Sequence, residues 1–169
     1  MSERKQGLTG LDLLQVMVDQ EEMTSKLYRQ IANQAKKGDG FFERLAEDED
    51  RHKKIYEGLL RRYEKERDSA FHKEVSEEDY HYLQSLVDND ALNNREEYLT
   101  DATKIGGRMA IYDLAIRLEQ DTVSFVTELE RLYRDAVPEE FSIIIKEEKE
   151  HLQKVRQRKL DFAMAGRGL

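Results

Sequence analysis

The sequence predicts an all-α protein: a bundle of four long helices, arranged as two antiparallel hairpins joined by a long crossover. Three observations predict it. The chain is 38% charged, with one proline, nine glycines and no tryptophan, too little turn chemistry for a sheet protein and a composition that suits solvated helices. Apolar residues recur at alternating steps of three and four, the spacing of one helix face. The polar residues that interrupt those faces repeat, with nearly the same spacing, in the two halves of the chain. At 169 residues the length suits a single domain over 1–169.

The first helix is expected over about 10–37, capped by Thr9 or Gly10 and stopped by Gly38-Asp39-Gly40. Its stripe reads Leu11, Leu14, Val18, Glu21, Ser25, Tyr28, Ala32, Ala35, with Glu22 as a solvated neighbour about 100° away. The second is expected over about 41–66, with the stripe Phe42, Leu45, Glu49, His52, Tyr56, Leu59, Tyr63. The short turn between them makes the pair antiparallel neighbours. Residues 67–103 are polar and read as the crossover, with a weak helix at Ser76–Val87 opened by Ser76-Glu77-Glu78-Asp79. The third helix is expected over about 104–136, with a soft start at Gly106-Gly107 and the stripe Tyr112, Ala115, Glu119, Thr122, Val126, Leu129, Tyr133. Pro138 breaks the chain and opens the fourth helix, about 138–163, whose stripe is Phe141, Ile144, Glu148, His151, Val155, Phe162.

The interruptions carry the chemistry. Taking an unpaired carboxylate out of water costs several kcal/mol, so a glutamate in an apolar stripe needs compensation. A metal ion supplies it. Glu49-x-x-His52 puts a carboxylate oxygen and an imidazole nitrogen one turn apart on one face, and Glu148-x-x-His151 does the same. Glu119 follows Glu21 by 98 residues, while Glu148 and His151 follow Glu49 and His52 by 99. This is an internal duplication of a helical hairpin, and it aims four glutamates and two histidines at one place. Four ionised glutamates carry -4, which two divalent cations cancel with neutral histidines; one cation would leave -2 inside the bundle. Oxygen-rich ligation with one nitrogen per metal suits iron or manganese better than copper, and ligand type leaves zinc open.

Other histidines and tyrosines have plainer readings. His81 follows Glu78 at the same spacing, but the pair lies to the flank of Val75, Leu83 and Leu86 and outside the repeat; His72 has Ser69 at that position and reads as a surface histidine. Tyr28, one heptad after Glu21, is the candidate catalytic residue, placed to hydrogen-bond a ligand or donate an electron; its alternative is a core tyrosine. Val126 stands at the matching place in the second half. Tyr56, Tyr63, Tyr112 and Tyr133 read as core with wet hydroxyls, and Met17, Met23 and Met109 as fillers.

The set Glu21, Tyr28 and Glu49-Asp50-Arg51-His52, followed by Glu119 and Glu148-Lys149-Glu150-His151, resembles the ferritin-like di-iron carboxylate superfamily, most closely the rubrerythrin-type bundle. The likeness covers the chain apart from the crossover and the ends. It implies a ferritin-like fold in which Glu21, Glu49 and His52 serve with Glu119, Glu148 and His151 as ligands of two iron ions, Glu49 and Glu148 bridging. It also implies an oxidoreductase that reduces hydrogen peroxide or dioxygen and is re-reduced by an external electron donor such as a rubredoxin-like protein, acting as a homodimer. Two departures stand out. Rubrerythrins proper carry a rubredoxin-like domain with four cysteines, and this sequence has none. They also carry a further glutamate three residues after the third-helix ligand, where this chain has Thr122. An iron-binding protein of the storage or ferroxidase kind, or a bundle merely stapled by metal, remain the alternatives.

The composition narrows the partners. Having no cysteine excludes disulfides, thiolate catalysis and iron–sulfur clusters. With 36 acidic against 28 basic residues the net charge is -8, which argues against nucleic acid or an anionic membrane and suits cations. The start, MSERKQGLTG, lacks the apolar core of a signal peptide, and no stretch approaches the roughly 20 apolar residues of a membrane span. A cytoplasmic location is the default expectation.

Overall fold

The computed structural model describes residues 7–34, 40–88 and 107–165. It is all-α, a ferritin-like helical bundle built from α1 (Gly10–Gln34), α2 (Phe41–Lys65), a short α3 (Glu77–Asp88), α4 (Arg108–Leu132) and α5 (Glu139–Ala165). The expected stop at Gly38-Asp39, the stripe position Ala35, crossover residues 89–103 and the third helix's expected start at 104–106 lie outside the described residues.

Side-chain pairs fix the helix directions. Lys53 of α2 meets Glu22 of α1 at 2.8 Å, and Asp50 accepts from Ser25 Oγ at 2.6 Å, so rising numbers on one helix pair with falling numbers on the other. Between α2 and α5, Arg51 pairs with Glu147 at 2.7 Å and Arg62 with Glu140 at 2.5 Å, again antiparallel. Tyr28 of α1 reaches Glu119 of α4, and Gly10 lies against Tyr133 at the other end. Hence α1 and α5 run one way, α2 and α4 the other, the arrangement a long crossover permits.

Local chemistry explains the ends. At α1, Thr9 and Asp12 exchange bonds: Asp12 Oδ2 accepts from the Thr9 amide at 2.8 Å and from its hydroxyl at 2.6 Å, and Thr9 Oγ1 accepts from the Asp12 amide at 3.3 Å. Gly40, before α2, has φ 69°, a left-handed turn that favours glycine. α3 starts at a similar box, with Ser76 Oγ accepting from the Asp79 amide at 3.1 Å and donating to its carboxylate at 2.7 Å. The third long helix ends earlier than expected, at Leu132. Residues Arg134–Ala136 tighten into a 3-10 turn, and Pro138 stands just ahead of α5 rather than inside it.

The buried face of α2 is Leu45, Ala46, Glu49, His52, Tyr56, Leu59 and Tyr63. α1 buries a broader face than its stripe suggests, adding Leu13, Met17, Leu27 and Ile31. The core is in two pieces. One gathers Leu14, Val18, Tyr56, Phe71, Val126 and Phe141; the other gathers Leu27, Tyr28, Leu45, Ala115, Leu118 and Val155. The six glutamates and histidines of the repeat belong to neither, and by helix position they fall between the two.

Candidate metal centre

Each long helix delivers a carboxylate to one level of the bundle, and α2 and α5 each add an imidazole three residues on. Glu21, Glu49, His52, Glu119, Glu148 and His151 are all at most 2% exposed. Two overlapping sets form. In Glu21, Glu49, His52 and Glu148, one ligand atom from each lies within 4.8 Å of the others, and the same holds for Glu49, Glu119, Glu148 and His151. The sets share Glu49 and Glu148. His52 Nδ1 stands 2.7 Å from Glu148 Oε1 and 3.2 Å from Glu49 Oε2. His151 Nδ1 stands 3.5 Å from Glu119 Oε2 and Glu148 Oε2, and 3.6 Å from Glu49 Oε1.

The donors fit a metal pair. Among the described residues, Glu21 Oε1 is buried without a hydrogen-bond partner, and Glu49 Oε1 and Glu119 Oε2 are buried with His151 Nδ1 at the long distances of 3.6 and 3.5 Å. A buried carboxylate oxygen short of hydrogen bonds costs about 1–3 kcal/mol, so these three at one level leave acceptor capacity that cations would fill. Three oxygens and one nitrogen in each set suit divalent iron or manganese.

Without metal the cluster neutralises itself with protons. Burial, then the charges of Glu148 and Glu49, hold the Glu21 carboxyl well above its ordinary value. Glu119 is raised by burial and Glu49, with His151 opposing. Burial also works on Glu148, but its bonds with His151 and His52 outweigh burial and hold it low. His52 is pushed up to about 11, since Glu148 and Glu49 overcome the burial that favours its neutral form, and His151 rises by the same logic.

A second ring of groups aims the histidines. His52 Nε2 stands 2.7 Å from Glu147 Oε2, and His151 Nε2 stands 3.1 Å from Asp48 Oδ2, each pair crossing between α2 and α5. A carboxylate only accepts here, so each Nε2 carries the proton and each Nδ1 faces the cluster. Arg51 ties the two carboxylates together, 2.6 Å from Asp48 and 2.7 Å from Glu147. The sequence reading passed over these three residues. The signal that could have found Asp48 and Glu147 is their place: each directly precedes a cluster glutamate, in the same register of the repeat.

The remaining candidates fall as follows. Tyr28 is fully buried and donates its hydroxyl to Glu119. Burial and the Glu119 charge raise its pKa well above the usual value, so it keeps its proton. Thr122 is buried one turn beyond Glu119. Glu22 is more than a solvated neighbour: it pairs with Lys26 and Lys53, which hold its carboxyl down to about 2. His81 is exposed and lies 3.9 Å from Glu77, and His72 Nε2 donates to the Tyr63 carbonyl at 2.7 Å. The expectation of wet tyrosine hydroxyls fails at two positions, because Tyr56 and Tyr133 have buried hydroxyls without a partner. Tyr56 is fully buried in the bundle, and at the bundle end the Tyr133 hydroxyl is covered by Gly10.

No described helix is long and apolar enough to cross a membrane. No curated protein and no solved structure matches the chain. The family model described as Rubrerythrin matches residues 12–159, a span that contains all six cluster residues together with Tyr28, Asp48, Arg51 and Glu147. The chain therefore belongs to the rubrerythrin family of di-iron carboxylate proteins.

Proposed function

We propose that the chain is a di-iron oxidoreductase that reduces hydrogen peroxide or dioxygen. The observation that carries this reading is the set of buried carboxylate and imidazole atoms converging from all four long helices. Glu21 and His52 would hold one ion and Glu119 and His151 the other, with Glu49 and Glu148 between them. A ferrous pair held there supplies two electrons and open coordination positions to an oxidant.

The chain's own residues set the conditions. Glu147 and Asp48 keep the imidazole Nδ1 atoms turned inward, and Arg51 keeps those two carboxylates charged and in place. Tyr28 holds a proton at its hydroxyl against Glu119, orienting that carboxylate. The two apolar core pieces exclude bulk water. Having no cysteine, the chain would take electrons from an external donor such as a rubredoxin-like protein. A homodimer is the assembly proposed on family likeness, with the cytoplasm as the default place.

The test loads anaerobic metal-free protein with ferrous iron and adds hydrogen peroxide. Oxidation much faster than in Glu49→Ala supports the reading; equal rates in the two proteins would overturn it.

A further inference from the structure

The proposed redox chemistry leaves one set of aromatic residues unused. Tyr56 lies on α2 one turn beyond His52 and is fully buried, with a hydroxyl that has no partner among the described residues. From its ring a chain of aromatics runs to the end of the bundle. Tyr56 and Phe141 have centroids 6.3 Å apart, and Phe141 and Phe71 are 6.4 Å apart. Phe71, from the turn after α2, is sandwiched nearly parallel between Tyr63 at 4.3 Å and Tyr133 at 4.2 Å. Those two outer rings graze the surface, and Arg62 lies over Tyr63. Along α2, Tyr63 stands seven residues past Tyr56, a rise of about 10 Å.

Packing accounts for the rings and not for the hydroxyls. A buried phenol without a partner costs about 1–3 kcal/mol, which phenylalanine at position 56 or 133 would avoid at nearly the same shape. What a phenol does and a benzyl ring does not is give up an electron with its proton. We propose that Tyr56, with the Tyr63–Phe71–Tyr133 stack, forms a relay that carries an oxidising equivalent from the carboxylate cluster to the end of the bundle.

The relay rests on the redox reading of the cluster and deepens it. Reducing hydrogen peroxide to two waters takes two electrons and two protons. When the cluster holds one ferrous iron instead of two, that iron gives peroxide one electron and solvent gives the two protons. The Tyr56 hydroxyl gives the second electron and loses one proton, becoming a neutral phenoxyl radical. The proton passes to a carboxylate of the cluster, whose His52 lies one turn of α2 before Tyr56. Tyr63 or Tyr133 then returns an electron to Tyr56, which takes its proton back from the carboxylate. Tyr63, beside Arg62, releases its own proton to solvent, and a small one-electron reductant such as ascorbate restores it there. The two phenylalanines stay reduced and serve as bridge.

The full chain, loaded anaerobically with ferrous iron, is mixed with excess hydrogen peroxide without reductant and frozen for electron paramagnetic resonance. A parallel sample is mapped for oxidised tyrosines by mass spectrometry. The relay predicts a tyrosyl radical in the wild type, with oxidation products on Tyr63 and Tyr133. Both disappear in Tyr56→Phe, which folds because it loses only an unpartnered hydroxyl, and both persist in Tyr82→Phe, at an exposed tyrosine of α3. In the double variant Tyr63→Phe with Tyr133→Phe, the radical is stranded on Tyr56 and outlives the wild-type signal. Iron that binds and oxidises without any tyrosyl signal overturns the relay alone, as does a signal unchanged in Tyr56→Phe or lost in Tyr82→Phe. Iron that does not bind overturns the relay and the metal reading together.

Discussion

His52 of α2 and Glu147 of α5 meet across the two hairpins, Nε2 to Oε2 at 2.7 Å, and His151 and Asp48 repeat the contact with the helices exchanged. The duplicated hairpins thus aim each other's imidazoles. Groups that hold a ligand histidine in this way typically contribute 10- to 100-fold to metal affinity. Asp48→Ala and Glu147→Ala are each expected to weaken metal binding by about that factor while leaving the stoichiometry unchanged. Competition against a chelator of known affinity measures it.

The metal-free protein should lose stability as pH rises. Glu21 and Glu119 bind protons more tightly folded than unfolded, and a group with a raised folded pKa removes stability above its unfolded value, here 4.5. His52 acts with the same sign between 6.5 and about 11. Glu148, held low, contributes stability that is lost only as pH falls below its ordinary 4.5. The Tm of metal-free protein is therefore expected to fall from about pH 5 to about pH 8, and saturating ferrous iron to flatten that slope. Scanning calorimetry with and without metal checks both halves. In a pH-stat, loading should release about four protons for two ions, one from each of Glu21, Glu119, His52 and His151.

Replacing Glu21 by leucine separates stability from binding. The side chain stands in line with Leu14 and Val18 and is buried among like charges, so Glu21→Leu should stabilise the metal-free fold by about 1–4 kcal/mol. The same change should cut metal capacity from two ions to one. Urea unfolding and elemental analysis of one preparation measure the two effects.

At the far end of the bundle, a Cβ on Gly10 would stand 2.7 Å from Phe71 Cδ1 and from Tyr133 Cζ and its hydroxyl. Gly10→Ala gains helix propensity of up to about 1 kcal/mol, but it overpacks a rigid aromatic stack. A net loss of about 1–2 kcal/mol is expected from urea unfolding, with a larger loss if the stack is forced apart.

These expectations rest on features of unequal visibility in the sequence. The α2 face was legible because it touches its neighbours along one narrow row: of the seven stripe positions only Phe42 is half-buried rather than buried. α1 was read too narrowly, since a bundle helix packs against more than one neighbour and Leu13, Met17, Leu27 and Ile31 form a second buried row. The convergence of Glu21, Glu49, His52, Glu119, Glu148 and His151 was visible because charge in an apolar row stands out. Half-buried Asp48 and Glu147 and exposed Arg51 were not visible, because charges on the border of a helix's wet face look like solvation. Nor could spacing tell that Tyr56 sits too deep for water, which depends on packing against other helices, as with Phe141 of α5.

The central claim is that four helices bring their carboxylates and imidazoles together to hold a pair of metal ions. Elemental analysis of the protein after anaerobic ferrous loading and gel filtration tests it most directly. Two irons per chain, falling below two in Glu49→Ala, is the predicted result. No retained metal, or the same amount in the wild type and in Glu49→Ala, would contradict it.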